Sequence, residues 1–231
     1  MKYSNIVKGE FLSRPNRFIA KVNIDGETHT VHVKNTGRCK ELLVSGATVY
    51  LEKSSNPHRK TAFDLVAVEK KRDKDTLLIN MDSQVVNDVA EEWLRRGNLF
   101  SADAKIRREV TYNKSRFDFY IEDNDKKAFL EVKGVTLENG GIASFPDAPT
   151  ERGIKHLCEL ESALGEGYEA YVLFVIQMKG VSVFKPNDLT HKAFGDTLRT
   201  VSESGVKVIA VDCNITPDSI EIDNFIDIDL R

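Results

Sequence analysis

From Ser115 to Val135 the chain alternates apolar and polar residues twice and turns once, at Asn124-Asp125. A β-hairpin with that pair at its tip sets Phe117 opposite Val132, Phe119 opposite Leu130 and Ile121 opposite Ala128, one apolar face. Its other face pairs Arg116 with Lys133, Asp118 with Glu131, Tyr120 with Phe129 and Glu122 with Lys127. The preceding run, 104–112, alternates as well, and a tip at Asn113-Lys114 brings Glu109 opposite Asp118. Glu109, Asp118 and Glu131 are therefore expected in one row across three strands. Arg108 interrupts the apolar face of the first strand, so that register is the less secure.

Upstream, residues 1–82 read as closely spaced strands. VKGEFL is followed by FIAKVNID, an Asp25-Gly26 turn and THTVHV, which pairs Phe18 with Val33 and Ala20 with Val31. KNTGRCKELL predicts a turn and a short helix over Arg38–Leu43; ATVYLEK, AFDLVAVEK and TLLINM complete the set. Five or six short strands with one small helix suit an OB-fold-like β-barrel.

From Ser83 the period changes. Val85, Val86, Val89, Ala90, Trp93 and Leu94 have helical spacing up to Gly97, with Trp93 a core anchor. After the three strands, a Gly-rich loop is expected over 138–149. Thr150 is a good N-cap for a helix over ERGIKHLCELESAL. Its buried side is Ile154, Leu157, Cys158, Leu160 and Leu164, and its polar stripe Arg152, Lys155, His156 and Glu159. The run AYVLFVIQM reads as a strand buried on both faces. A helix over 189–202, VKVIAVD and a short IEI strand follow. Residues 83–231 thus form an α/β domain with a mixed sheet.

Composition changes the picture little: 231 residues, 41% hydrophobic and 30% charged, describe an ordinary globular chain. No apolar run approaches the roughly 18 residues of a membrane span, and the N-terminus lacks an apolar signal region. Cys39, Cys158 and Cys213 are odd in number and scattered, which favours reduced thiols and a cytoplasmic location. Charge changes it more. Residues 1–80 carry 15 Lys and Arg against 9 acids, a balance of +6, and the remainder 18 against 27, a balance of −9. An anionic partner would meet the basic part first. The basic candidates are Arg14, Arg17, Arg38, Lys40, Lys53, Arg59, Lys60, Lys70, Lys71 and Arg72, at least half of them expected to be plain solubilising charges.

Two opposed carboxylates repel, so either one takes up a proton or a cation neutralises both. Oxygen ligands suit Mg²⁺ or Mn²⁺, shared with a substrate phosphate. Lys133 projects to the same side as Glu131 and can orient water or meet developing charge. Arg152, Lys155 and His156 can then approach neighbouring phosphates. The plainer alternatives are a surface Glu131–Lys133 ion pair, worth about 0–1 kcal/mol, and a surface His156. The loop Asn35-Thr36-Gly37-Arg38 can hold a phosphate on its backbone N–H groups. It can equally be a plain turn, the reading that the residues alone favour. There is no GxxxxGK[ST] loop, so no nucleotide cofactor is expected.

The strings NTGRCKELL, SRFDFYIE, FLEVKGVTL and FPDAPTERGIKHLCEL resemble the sugar fermentation stimulation protein A family over essentially the whole chain. The resemblance implies an OB-fold followed by a PD-(D/E)XK nuclease-like α/β domain, with DNA as partner. It implies that Asp118 is the metal-binding aspartate, Glu131 and Lys133 the Glu-x-Lys pair, and Asp147, Arg152, Lys155 and His156 part of a shared block. It also turns Asn35, Thr36 and Arg38 from a plain turn into a functional loop. The expected catalytic residues are Asp118, Glu131 and Lys133, the metal ligands Asp118, Glu131 and Glu109. The expected DNA contacts are Arg14, Arg17, Asn35, Thr36, Arg38, Arg116, Arg152, Lys155 and His156. The expected function is divalent-metal-dependent phosphodiester hydrolysis of DNA. The competing expectation is a non-catalytic DNA-binding regulator of sugar (maltose-type) metabolism genes that retains the scaffold. Oligomeric state stays open, a dimer included.

Overall fold

Alternation in the first third closes into a barrel. Strands β1 (Ile6–Asn16), β2 (Ile19–Ile24), β3 (Glu27–Val33), β4 (Thr48–Lys53), β5 (Phe63–Lys71) and β6 (Thr76–Asn80) lie in the order β3-β2-β1-β4-β5-β6. A parallel pairing of β3 with β5, through His32↔Asp64 and Val33↔Leu65, closes five of them. The eleven-residue β1 serves two neighbours because irregularities between Phe11 and Asn16 bend it. Ala20, Val22, Val31, Val33, Val49 and Leu51 fill the interior. The computed structural model describes residues 1–35 and 37–231. Thr36, an expected DNA contact, lies outside the described residues.

Two expectations for this part are corrected. No helix forms over Arg38–Leu43: Cys39 takes φ +44, outside helical space, and a turn follows in which the Leu42 and Leu43 N–H groups both bond the Cys39 carbonyl. The hairpin register holds, with Ala20 opposite Val31, yet Phe18 lies outside the apolar interior and is 50% exposed. Its carbonyl accepts the Val33 N–H while its ring turns outward.

The second part is built on a six-stranded mixed sheet, order β15-β14-β12-β9-β8-β7. These are β7 (Lys105–Tyr112), β8 (Ser115–Asp123), β9 (Lys126–Val135), β12 (Glu169–Ile176), β14 (Lys207–Thr216) and β15 (Ser219–Phe225). Every β12 residue but the first is buried, as its continuous apolar run requires. Helix α1 (Val86–Arg95) covers one face, where Trp93 and Leu94 share a cluster with Phe119, Leu130 and Val132. Helices α2 (Glu151–Gly165) and α3 (Asp188–Ser204) belong to a cluster with Phe129 and Phe174 that continues into the barrel. Thr150 caps α2 through its hydroxyl, which accepts the Gly153 N–H. Cys158, expected on the buried side of α2, is exposed.

The segment expected as a Gly-rich loop contains a hairpin, β10 (Leu137–Asn139) and β11 (Ile142–Phe145), turned at Gly140-Gly141. With β13 (Val183–Pro186) and β16 (Asp227–Ile228) it makes a small second sheet. Its order, β10-β11-β13-β16, joins that hairpin to two short segments far downstream in the chain.

Barrel and sheet are joined by buried polar contacts. The Asn80 N–H bonds the Gln177 carbonyl, and Gln177 Nε2 donates to Asn80 Oδ1 and to the Asp82 carbonyl, each at 3.0 Å. Lys70 of β5 reaches the buried Glu138 carboxylate of β10 at 2.6 Å, while Asp82, at the end of the barrel part, is held by Lys34 at 2.9 Å.

Candidate functional site

The site lies where the central hairpin opens. Strands β8 and β9 pair in the expected register from Asp123↔Lys126 to Phe119↔Leu130 and no further. One residue beyond, the Val132 N–H donates to Asp118 Oδ2 at 2.7 Å, so a side-chain carboxylate stands where a backbone acceptor would continue the ladder. Asp118 Oδ1 accepts from Asn87 Nδ2 of α1 at 2.8 Å.

The β7–β8 ladder shows the cause. Its register is also the expected one, but the row Glu109/Asp118 is missing from it, and Glu109 takes φ +55. Both strands turn over at that row. Arg108 and Phe119 face the α1 side, with Arg108 ion-paired to Asp88 and Glu91. Val110 and Phe117 face the other side with Phe129 and Tyr112. The single apolar face expected for Phe117, Phe119 and Ile121 is therefore corrected: Phe117 packs opposite to the other two.

Glu131 is 3% exposed and lies toward α2. Its Oε1 accepts from Lys133 Nζ and from His156 Nδ1. His156 Nε2 in turn accepts from Arg152 Nε at 3.3 Å, and since Arg can only donate, the ring proton of that pair belongs on Nδ1. Glu131 Oε2 is buried with no hydrogen-bond partner. Burial alone would raise the Glu131 pKa, but Lys133 and His156 outweigh it and hold the carboxyl below its ordinary value. Asp118 goes the other way: burial and the nearby Glu131 charge raise it, against the Val132 N–H, Lys133 and Asn87. The two carboxylates thus differ in environment while still sensing one another.

The other expected site residues separate into groups. Glu109 does not join the two acids; it is exposed and sits 3.5 Å from Arg116, which is exposed too. Among the described residues no group of three His, Cys, Asp or Glu is gathered for a metal ion. Lys155 donates to the Lys114 carbonyl and His156 is buried, so the stripe on α2 is not a uniform solvent face.

The loop around Gly37 is held from within. Arg14 donates to the carbonyls of Asn35, Gly37, Arg38 and Arg17 at 2.7–2.9 Å. The Gly37 N–H is taken by Asn35 Oδ1 and the Arg38 N–H by Asp147 Oδ2. A Cβ at residue 37 would lie 2.2 Å from Asp147 Oδ2, so only glycine allows this approach. Two of the N–H groups expected to cradle a phosphate therefore already have acceptors, one of them a carboxylate. Asp147 and Gly37 also line a cavity of about 160 Å³ with Gly134, the neighbour of Lys133. That places the barrel loop beside the end of β9.

Sequence reasoning missed Asn87, a polar residue on the flank of an apolar helix, and Gln177, at the end of an apolar run. Neither carries a local signal, because their partners lie 31 and 97 residues away.

The Sugar fermentation stimulation protein RE domain matches residues 84–219, and the SfsA N-terminal OB domain matches residues 12–79. A sugar fermentation stimulation protein homolog of Clostridium beijerinckii is 58% identical over 228 residues, 99% of each chain. One of Desulfitobacterium hafniense is 56% identical, covering 100% of this chain and 99% of its own. The solved structure of Pyrococcus furiosus SfsA in complex with Ca²⁺ superposes with a TM-score of 0.85 at 25% identity, over 99% of this chain and 98% of that one. With two domain models side by side and relatives matched end to end, this chain belongs to the sugar fermentation stimulation protein family.

Proposed function

We propose that this protein is a DNA-binding phosphodiesterase that depends on Mg²⁺ or Mn²⁺, with the chemistry in residues 83–231 and DNA contacts from the barrel, residues 1–82, in the cytoplasm. The observation that carries this reading is Glu131 Oε2, an ionised carboxylate oxygen buried without a partner beside a second carboxylate. Such an oxygen is costly in a folded interior unless a cation or donor meets it. Glu131 and Asp118 would hold the ion, and the donor set, oxygen only, fits a hard divalent cation. The Ca²⁺ carried by the Pyrococcus furiosus relative supports the same class.

A bound divalent ion would supply an activated water and charge stabilisation for an in-line phosphoryl displacement. The protein's own residues do the rest. Lys133 and His156 fix Glu131 through Oε1 and keep it ionised. Asn87 and the Val132 N–H fix Asp118 at the strand opening. Lys133, 15% exposed and paired to Glu131, would meet the charge of a phosphate entering there.

The test is cleavage of labelled DNA by purified protein with Mg²⁺ or Mn²⁺. Glu131→Gln and Lys133→Ala should each lose at least about 100-fold in rate, as when a transition-state partner is removed. Cleavage that survives both changes would refute the site. Non-catalytic DNA binding is the second reading. It is favoured by Asp118, both of whose oxygens are already engaged, and by the absence of Glu109 from the row. It predicts salt-sensitive DNA binding that ignores Asp118→Asn and no cleavage with either ion.

A further inference from the structure

The barrel's basic residues are not equivalent. Arg59 pairs with Asp64, Lys34 with Asp82, Lys70 with Glu138 and Arg72 with Asp75, while Arg14 is spent on four carbonyls. Among the described residues, no side chain pairs with Arg17, Arg38 or Lys40, and these three line one open cleft of about 640 Å³, walled by Ala148 and Pro149. Arg17, which lines it, holds its guanidinium 5.9 Å from the ring centroid of the next residue, Phe18, which is 50% exposed. The ring is outward on a fixed backbone: Asn16 Oδ1 accepts the Phe18 N–H at 2.9 Å, and the Phe18 carbonyl takes the Val33 N–H. Gly37 lines both this cleft and the cavity that holds Gly134, the neighbour of Lys133.

We infer that this cleft is a subsite for an unpaired DNA strand, with one base stacked on Phe18 and the flanking phosphates on Arg17, Arg38 and Lys40. This rests on the DNA-binding reading above and adds the form of the DNA. A duplex keeps its bases stacked inside and offers phosphates alone, leaving Phe18 nothing to stack on. An unpaired strand supplies both a ring face and the charge, the combination by which single strands are held without sequence preference.

The experiment is equilibrium binding by fluorescence anisotropy with EDTA present, comparing a labelled thymidine oligonucleotide with a duplex of equal length. The wild-type protein should bind the single strand more tightly. Phe18→Ala should weaken single-strand binding by roughly 5- to 150-fold and leave duplex binding unchanged, and Phe18→Trp should restore it. Arg17→Ala with Lys40→Ala should weaken both and reduce the salt dependence. Circular dichroism melting of each variant establishes that it is folded; Phe18, being exposed, should melt as the wild type does. Binding of both DNAs with no effect of Phe18→Ala overturns the stacking subsite and leaves DNA binding standing. No binding of either DNA by the wild type overturns the DNA-binding reading, and the subsite with it.

Discussion

Glu131 and His156 form a buried pair in which imidazole Nδ1 donates to carboxylate Oε1, while the second carboxylate oxygen meets nothing. The asymmetry matters chemically. One oxygen is fixed by Lys133 and His156, so the group is oriented and ionised, and the other is left to face a ligand.

Removing the imidazole should therefore unsettle the site before it unsettles the chemistry. His156→Ala should cost roughly 1.5–3 kcal/mol, the scale of a hydrogen bond to a charged group. His156→Asn, whose amide nitrogen can take the place of Nδ1, should recover part of it. Urea denaturation midpoints of the three proteins measure both; equal midpoints would show the pair to be energetically idle.

Asn87 donates to Asp118 from α1. Asn87→Asp would put a third acid beside two that already repel. The metal-free protein should melt several degrees lower, at roughly 2–4 °C per kcal/mol for a chain of this size. Saturating Mn²⁺ should then raise the melting temperature more than in the wild type, because ion binding stabilises the native state by mass action. A calorimetric scan with and without Mn²⁺ reads the difference, and an equal rise in both proteins would count against a cation at Asp118.

At the barrel closure, burial would raise the Asp64 pKa, but Arg59, His32 and Lys34 outweigh it and hold the group below its ordinary value. A carboxyl with a lowered folded pKa adds stability above its unfolded pKa and loses it as pH falls through the folded one. Asp64→Asn should thus lower stability by roughly 1.5–3 kcal/mol at pH 7 and by much less near pH 2. Denaturation midpoints at the two pH values test this. A pH-independent loss would mean that packing, not charge, is at work.

Gly37 and Asp147 are coupled by their close approach. Gly37→Ala should cost about 1–3 kcal/mol by overpacking, and Asp147→Ala about 1 kcal/mol through the lost Arg38 N–H bond. The double variant should cost less than the two together, since removing the carboxylate makes room for the methyl group. Strict additivity in a double-mutant cycle would show that the clash is relieved elsewhere.

How much of this was legible in the chain differs by level. Both hairpin registers follow from local alternation and turn residues; β7–β8 holds on either side of the missing Glu109/Asp118 row, and β8–β9 holds as far as Phe119↔Leu130. The facing of their side chains does not, because the left-handed Glu109 and the unladdered Asp118 turn both strands over in one row. Alternation assumes an unbroken pleat, and the site is where the pleat breaks. Asp118 and Glu131 were identifiable as neighbours from pairing alone, whereas Glu109 was carried into the row by a regularity that fails there. The short strands β10, β11, β13 and β16 were invisible for another reason: two to four residues carry no period, and β13 and β16 find their partners far away in sequence. Asn87, His156 and Asp147 owe their roles to contacts made only after α1, α2 and the barrel have packed.

The most direct test is diffraction from crystals soaked in Mn²⁺, with the anomalous signal used to locate the ion. A metal-dependent site requires a peak between Asp118 and Glu131, at about 2.1–2.2 Å from Glu131 Oε2, and its loss in Glu131→Gln. A saturating soak that leaves this position empty, or a peak that persists in Glu131→Gln, would contradict it.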